Sequence, residues 1–446
     1  MRHLTGQTRW ALAVVVAGLL AQATPAGAEP AGAKSDQPKL PSIQSVEAQA
    51  RKSMADAVAA TRAGRRSEAN DTCDKLRKNI GELKAQGKKV ASCTREATAA
   101  EAALAPSMDT VMAQAGLKDP PVEPVETVDP DGPVTAHGIA PGDVAFRPLS
   151  CNPALTGLDI YHRDRLDACQ NWLVIHDVID LSNGQLLGTA AFLMTEWEQL
   201  NNVSRTWDHH IVLNFFLGTG VTRQGMFTYL FLNCTDPCTE VSEPADGWVL
   251  TRPTEFWHGQ SRMTSPGPAT THFWSGAGLV TFSFLGGNVV GSNSKLYAIR
   301  CDSLSYIPGQ GCVHWTMPGR LRMSKSDKLL AEAAQFYEEA QNRLTGPTGK
   351  IGTGRPLHRA TDFQDFANRT IIRPTCLLLP KAPGESCDEF PFAASAEGAA
   401  SGVRGVEWDV KALNERHNSW AGTMLSVFYG HQRMAQGDEF YVQIDP

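Results

Sequence analysis

The sequence has no CxxC pair and no pair of histidines at ligand spacing beside a cysteine. That weighs against structural zinc, which needs closely spaced thiolates and imidazoles. After the N-terminal leader it has no apolar run near the roughly 20 residues that cross a bilayer, so stable membrane insertion is not expected. It has no GxxxxGKS/T motif, so the glycine-rich stretch 346–354 reads as a linker rather than a phosphate cradle. It also has no excess of positive charge: 41 Lys plus Arg face 47 Asp plus Glu, a net of -6. That argues against broad nonspecific nucleic-acid binding by charge alone. A divalent metal with a few local arginines could still handle one phosphate.

The leader itself is informative. Arg2 and Arg9 flank the start of an unbroken run of twelve apolar or small residues, Trp10 to Ala21, and Ala26-Gly27-Ala28 offers a small-x-small cleavage site. Residues 1–28 read as a signal peptide, which implies a secreted, extracellular protein. Its removal would take the net charge from -6 to -8. Export changes how the ten cysteines are read, because oxidising compartments favour disulfides. They fall into five sequence-adjacent pairs: Cys73 with Cys93, Cys151 with Cys169, Cys234 with Cys238, Cys301 with Cys312, and Cys376 with Cys387. Pairing between neighbours is the expectation.

The composition changes along the chain in a way that predicts a multidomain protein. Residues 29–42 are a linker rich in Pro, Ala, Lys and Ser. Residues 43–117 lack proline until Pro106 and place apolar residues at helical spacing, as in Ile43, Val46, Ala50, Met54 and Val58, then Cys73, Leu76, Ile80 and Leu83. An N-terminal α-helical hairpin or bundle is expected there, with Cys73 and Cys93 clipping neighbouring helices. Residues 118–144 are a proline-rich acidic linker. Residues 145–322 read as a central all-β, sandwich-like domain. Its strands are expected near 172–179, 188–194, 210–217, 226–232, 247–251, 279–285 and 295–300, punctuated by Gly, Asn, Asp and Pro. Trp207, His209 and His210 could bind a metal or ligand, although histidines in strands are more often surface or packing residues. The ligand of this β-domain is unknown. Residues 323–354 hold one amphipathic helix, with Leu329, Leu330, Ala333, Phe336, Tyr337 and Ala340 on one face, followed by the glycine-rich linker. Residues 355–446 form the C-terminal domain, expected to be compact α+β.

Chemistry concentrates in that last segment. Ser386-Cys387-Asp388-Glu389-Phe390-Pro391-Phe392-Ala393 sets two acids between a cysteine and an aromatic-proline cluster. Half-buried adjacent acids are costly unless something neutralises them, and a divalent cation is a natural neutraliser. Glu397-Gly398 follows, then Asn418-Ser419-Trp420-Ala421-Gly422, and finally Gly437-Asp438-Glu439-Phe440. Carboxylates suit a hard cation, a second carboxylate can take a proton from water, and an amide can orient that water. The plainer alternative is an acidic turn beside a core helix. His358 is a candidate base or a hydrogen-bonding residue. Arg359, Arg369, Arg373 and Arg404 are candidates for phosphate contact or ordinary ion pairing.

These three ordered patterns resemble the signature of the NucA/NucB-type deoxyribonucleases, over about 355–446. The stretch from Pro356 to Asp362, with Ala367-Asn368-Arg369, also resembles the entry to that domain in larger exported proteins of actinobacterial type. One departure is Glu397-Gly398-Ala399, where family members often carry Glu-Gly-Gly. The resemblance implies a secreted, sequence-nonspecific DNA endonuclease, a C-terminal compact α+β nuclease domain, and Mg²⁺ or Mn²⁺ as cofactor. By the same carry-over, Asp388 and Glu397 are metal ligands, with Glu397 also the candidate base. Asn418 would orient water or complete the metal shell, and Glu389 would support from behind. Two other readings stand beside it: a surface or glycan-binding protein with an inert C-terminal domain, and a delivered nuclease toxin.

Overall fold

The computed structural model describes residues 73–95, 97–106, 161–162, 165–240, 249–401 and 407–446, with single positions at 42, 44, 45, 48 and 110. The expected signal peptide, the linkers expected at 29–42 (except position 42) and 118–144, Cys151 and Arg404 lie outside the described residues, as does most of the first expected helix. Among the described residues no helix is long and apolar enough to cross a membrane.

The first described element is helix α1 (Cys73–Ala85), followed by strand β1 (Val90–Arg95) and a single-turn helix α2 (Ala99–Ala102). The expectation of a second long helix after α1 is corrected here. Val90 to Arg95 pairs antiparallel with Asp180 to Ile175, adding a strand to the edge of the β-rich region. The bond from Cys73 to Cys93 therefore ties helix to strand. Local helical periodicity ended at Gly87, and a distant strand supplied the hydrogen-bond partners that a helix would otherwise have provided.

Strands β2 (Tyr161–His162), β3 (Asp167–Asp180), β4 (Leu186–Gln199), β5 (Thr206–Gly218), β6 (Met226–Cys234), β7 (Thr239–Glu240), β8 (Val249–Thr251), β9 (Phe256–Thr264), β10 (Thr271–Ser283), β11 (Val289–Asn293), β12 (Tyr297–Asp302) and β13 (Gly311–His314) follow. They make two antiparallel sheets. One runs β1-β3-β4-β5-β9-β7 with β2 beside β3, and the other runs β13-β12-β10-β6-β8 with β11 beside β10. Both sheets feed one core, from Phe192 and Phe215 on the first to Leu279 and Ile299 on the second. The seven strands expected from the sequence are present. Strands β2, β7, β9, β11 and β13 were missed; in β9, Gly, His, Ser and Arg dilute the apolar alternation. Cys234 bonds Cys238, and Cys301 bonds Cys312, as neighbour pairing predicts.

The remaining elements are β14 (Gly319–Ser324), α3 (Ala331–Arg343), β15 (Leu357–His358), α4 (Asp362–Leu378), β16 (Glu385–Phe390), β17 (Asp409–Asn414), α5 (Glu415–His431) and β18 (Glu439–Asp445). Strand β18 lies between β14, which it meets in parallel, and β15, antiparallel; β16 pairs with β17. A second core gathers Leu321, Met323, Phe336, Tyr337, Phe390, Phe392, Leu425, Phe428 and Phe440. Each of the largest of these contributes roughly 1.5–3 kcal/mol by leaving water. This core begins in β14 and takes in the apolar face of α3, from Ala333 to Ala340. The amphipathic helix expected before residues 355–446 thus packs into the same core as them, and the glycine-rich loop is bridged to β18 through Lys350 and Val442. The reason is a parallel pairing of strands separated by more than a hundred residues, which sequence periodicity does not register.

Candidate active site

Local folding brings one histidine and one glutamate together. Residues 358–360 are held on one side by β18, with His358 opposite Glu439. On the other side the loop after β16 pairs back: Ala360 N donates to Ala394 O, Ala396 N to His358 O, and Arg359 bridges Ser395. That return delivers Glu397 beneath His358. One carboxylate oxygen accepts the His358 backbone N–H at 2.8 Å, and the other meets His358 Nδ1 at 2.7 Å. The far ring nitrogen, Nε2, lies 3.5 Å from Glu439. Glu397 is buried while the imidazole is partly exposed, the arrangement in which a carboxylate fixes the orientation of a general base.

The loop carrying Glu397 is built by Asn368 on α4. Its amide donates to Ala393 O and Ser395 O and accepts from Ala400 N. A side chain at Gly398 would collide with Asn368, which explains a glycine directly after the acid. Helix α4 starts at a reciprocal cap between Thr361 and Gln364.

Asp388 and Glu389 point to opposite faces of β16, as neighbours in a strand must. Asp388 enters the core, where Tyr337 on α3 donates its hydroxyl at 2.7 Å and Glu389 N donates at 2.8 Å. Burial pushes the Asp388 carboxyl up to about 7, against the lowering effect of the Tyr337 hydrogen bond. Glu389 faces α4. Burial raises it as well, the Arg369 guanidinium opposes that rise, and Asp365 adds to it. Asp365 pairs with Arg369 through one oxygen at 3.0 Å, and its other oxygen is buried with no hydrogen bond among the described residues. Asn418, on α5, donates to Ser386 Oγ at 3.0 Å and to Cys387 O at 2.9 Å. It braces β16 rather than reaching Glu397. The bond from Cys376 to Cys387 ties α4 to the same strand.

The four residues singled out in the sequence therefore divide. Glu397 bonds His358, Asp388 bonds Tyr337 and Asn418 bonds the β16 strand, while Glu389 accepts from Ala393 N and feels the charges of Asp365 and Arg369. Among the described residues Asp388 and Glu397 share no hydrogen-bond partner. Among the described residues no three His, Cys, Asp or Glu side chains converge as a metal cage. A magnesium ion does not require one, since it keeps several waters and uses one or two carboxylates. Glu389 and the orphaned oxygen of Asp365 fit such a cation better than Asp388 does. Sequence reasoning missed Tyr337, which sat within an apolar helix face, and Asp365. A buried tyrosine hydroxyl that must find a partner was the available signal.

The arginines sort similarly. Arg359 stacks between Tyr306 and Tyr429, 4.7 and 4.8 Å from the ring centroids, so it is occupied. Arg373 is exposed. In the β-rich region His209 bridges Glu196 at 2.6 Å and Glu198 at 2.9 Å, all fully buried. Burial opposes protonation, but the two glutamates outweigh it and push His209 up to about 10. It is an ion-cluster residue.

Residues 374–443 match the family model of deoxyribonuclease NucA/NucB. The match holds Asp388, Glu389, Glu397, Asn418 and Asp438, and begins within α4, after His358 and Asp365. Neither the curated proteins nor the solved structures compared with the chain gave a match. A NucA/NucB domain points to a deoxyribonuclease acting on DNA, and the disulfides are compatible with an extracellular protein.

Proposed function

We propose that this chain is a secreted, metal-dependent DNA endonuclease without sequence preference, and that His358 and Glu397 are its proton-handling pair. The observation that carries this reading is that Glu397, within the stretch that matches a deoxyribonuclease family, meets both the backbone N–H and the ring Nδ1 of one histidine. Glu397 holds the imidazole by Nδ1, which leaves Nε2 to take a proton from the attacking water. Glu389 and Asp365 would hold Mg²⁺ or Mn²⁺, with Arg369 balancing their charge. When bound, the cation supplies positive charge that polarises the scissile phosphate. Asp388, assigned by motif as a ligand, acts in this arrangement through Tyr337 and the placement of β16. The acidic net charge supports dependence on such a cation, because duplex DNA would otherwise be repelled.

The test is plasmid nicking by the oxidised protein lacking residues 1–28, with Mg²⁺ or Mn²⁺ against EDTA. Cutting that EDTA and Glu397→Gln both abolish is the expected result. A folded protein that cuts with neither metal would overturn the reading and favour a binding protein with an inert C-terminal domain.

A further inference from the structure

The motif turn Gly437-Asp438 does more than start β18. Asp438 reaches out of the C-terminal unit into the β-sandwich. Arg300, on β12, grips both its oxygens at 2.9 and 2.8 Å, and Arg165 pairs with it at 2.8 Å. Both arginines are buried, Arg165 completely. Arg300 continues to Arg433 O at 2.5 Å and to Asp302 at 2.9 Å. Arg433, itself fully buried, returns to Asp302 at 2.5 Å and to Asn202 O at 2.7 Å. These charge-assisted bonds interlock, and the forked guanidinium geometry fixes direction as well as distance.

The same turn holds the candidate site. Asp438 O accepts the N–H of Arg359 at 2.9 Å, and Gly437 N donates to Arg359 O at 2.8 Å. Arg359 is the neighbour of His358. A chain of short bonds thus runs from β12 through Asp438 to the backbone that carries the imidazole. We infer that Asp438, with Arg300 and Arg165, positions His358, so that the β-sandwich is part of the cleaving unit's frame and not a separable carrier. This rests on the nuclease reading above for its consequence in catalysis. Asp438 touches no substrate in this scheme; it is a positioning residue.

The experiment uses the full-length oxidised protein and two variants, Asp438→Asn and Arg300→Lys. The lysine variant keeps the charge but loses the fork, so it serves if the first does not fold. Two readouts are taken: kcat and KM on duplex DNA, and backbone amide exchange at Arg359. Misplacing a reacting group by a fraction of an ångström costs about tenfold or more in rate. The expected result is therefore a kcat lowered about tenfold, KM within about twofold, and exchange at Arg359 faster by about tenfold. Unchanged exchange at Arg359 in a folded variant overturns the inference, whether or not kcat falls. So does a change confined to KM. If the wild-type protein cuts no DNA, the nuclease reading has failed, and exchange at Arg359 alone decides whether Asp438 positions His358.

Discussion

Asp388→Asn should change how stability depends on pH more than it changes stability at any one pH. The Asp388 carboxyl is 6% exposed and is held by the Tyr337 hydroxyl and the Glu389 N–H. Burial raises it from an ordinary value of 3.8 to about 7. The folded state therefore holds this proton more tightly than the unfolded chain does. Its contribution is complete below about pH 4, erodes as pH rises toward 7, and is flat above that. Three units at 1.36 kcal/mol each give about 4 kcal/mol, an upper bound for one group. Asparagine cannot ionise, so its erosion is zero. It has one acceptor oxygen where two are used, a loss of about 1 kcal/mol at every pH. Near pH 4 the variant should be slightly weaker than the wild type, and at pH 8 stronger by a few kcal/mol. Urea unfolding at both pH values, followed by amide exchange of β16, isolates this unit. Parallel pH profiles for the two proteins would refute the reasoning and mean that Asp388 ionises at an ordinary pH.

Other outcomes follow from neighbouring groups. His358→Ala should lower cleavage by about 10²- to 10⁴-fold, as removal of a general base does, while thermal unfolding shifts little because the ring is partly exposed. Asn418→Ala should cost about 1–3 kcal/mol in urea unfolding by leaving Cys387 O and Ser386 without their donor, and should reduce cleavage far less than Glu397→Gln. Selective reduction of the bond between Cys376 and Cys387 opens a link spanning 11 residues, worth about 3 kcal/mol, and should lower cleavage before the β-rich region melts. Equal loss of both on titration with reductant would count against a local role for that bond. In acid, His176 and His210 are held neutral by burial and pushed down to about 3. Their stabilising effect is present above 6.5 and is lost as pH falls from 6.5 toward 3. Circular dichroism should show the β-rich region unfolding in that window, and replacing His176 with Gln should shift its midpoint to lower pH.

Much of this was legible from residues near one another in sequence. Alternating apolar runs marked seven strands, neighbouring cysteines marked four described disulfides, and the ordered motifs around Asp388, Glu397 and Asn418 marked the stretch that matches a deoxyribonuclease family. Each of these signals is written within a span of one element or one turn. What the tertiary structure decided depends on contacts between residues far apart. The partner of Asp388 is Tyr337, 51 positions away, and the partner of Glu397 is His358, 39 away. Asp438 is gripped by Arg300 from 138 positions away. Local pattern determined which side chains would be polar, buried or paired. Only strand pairing across the chain, by placing β14, β15 and β18 in one sheet, decided which of them would meet, because backbone hydrogen bonding sets register without regard to distance along the sequence.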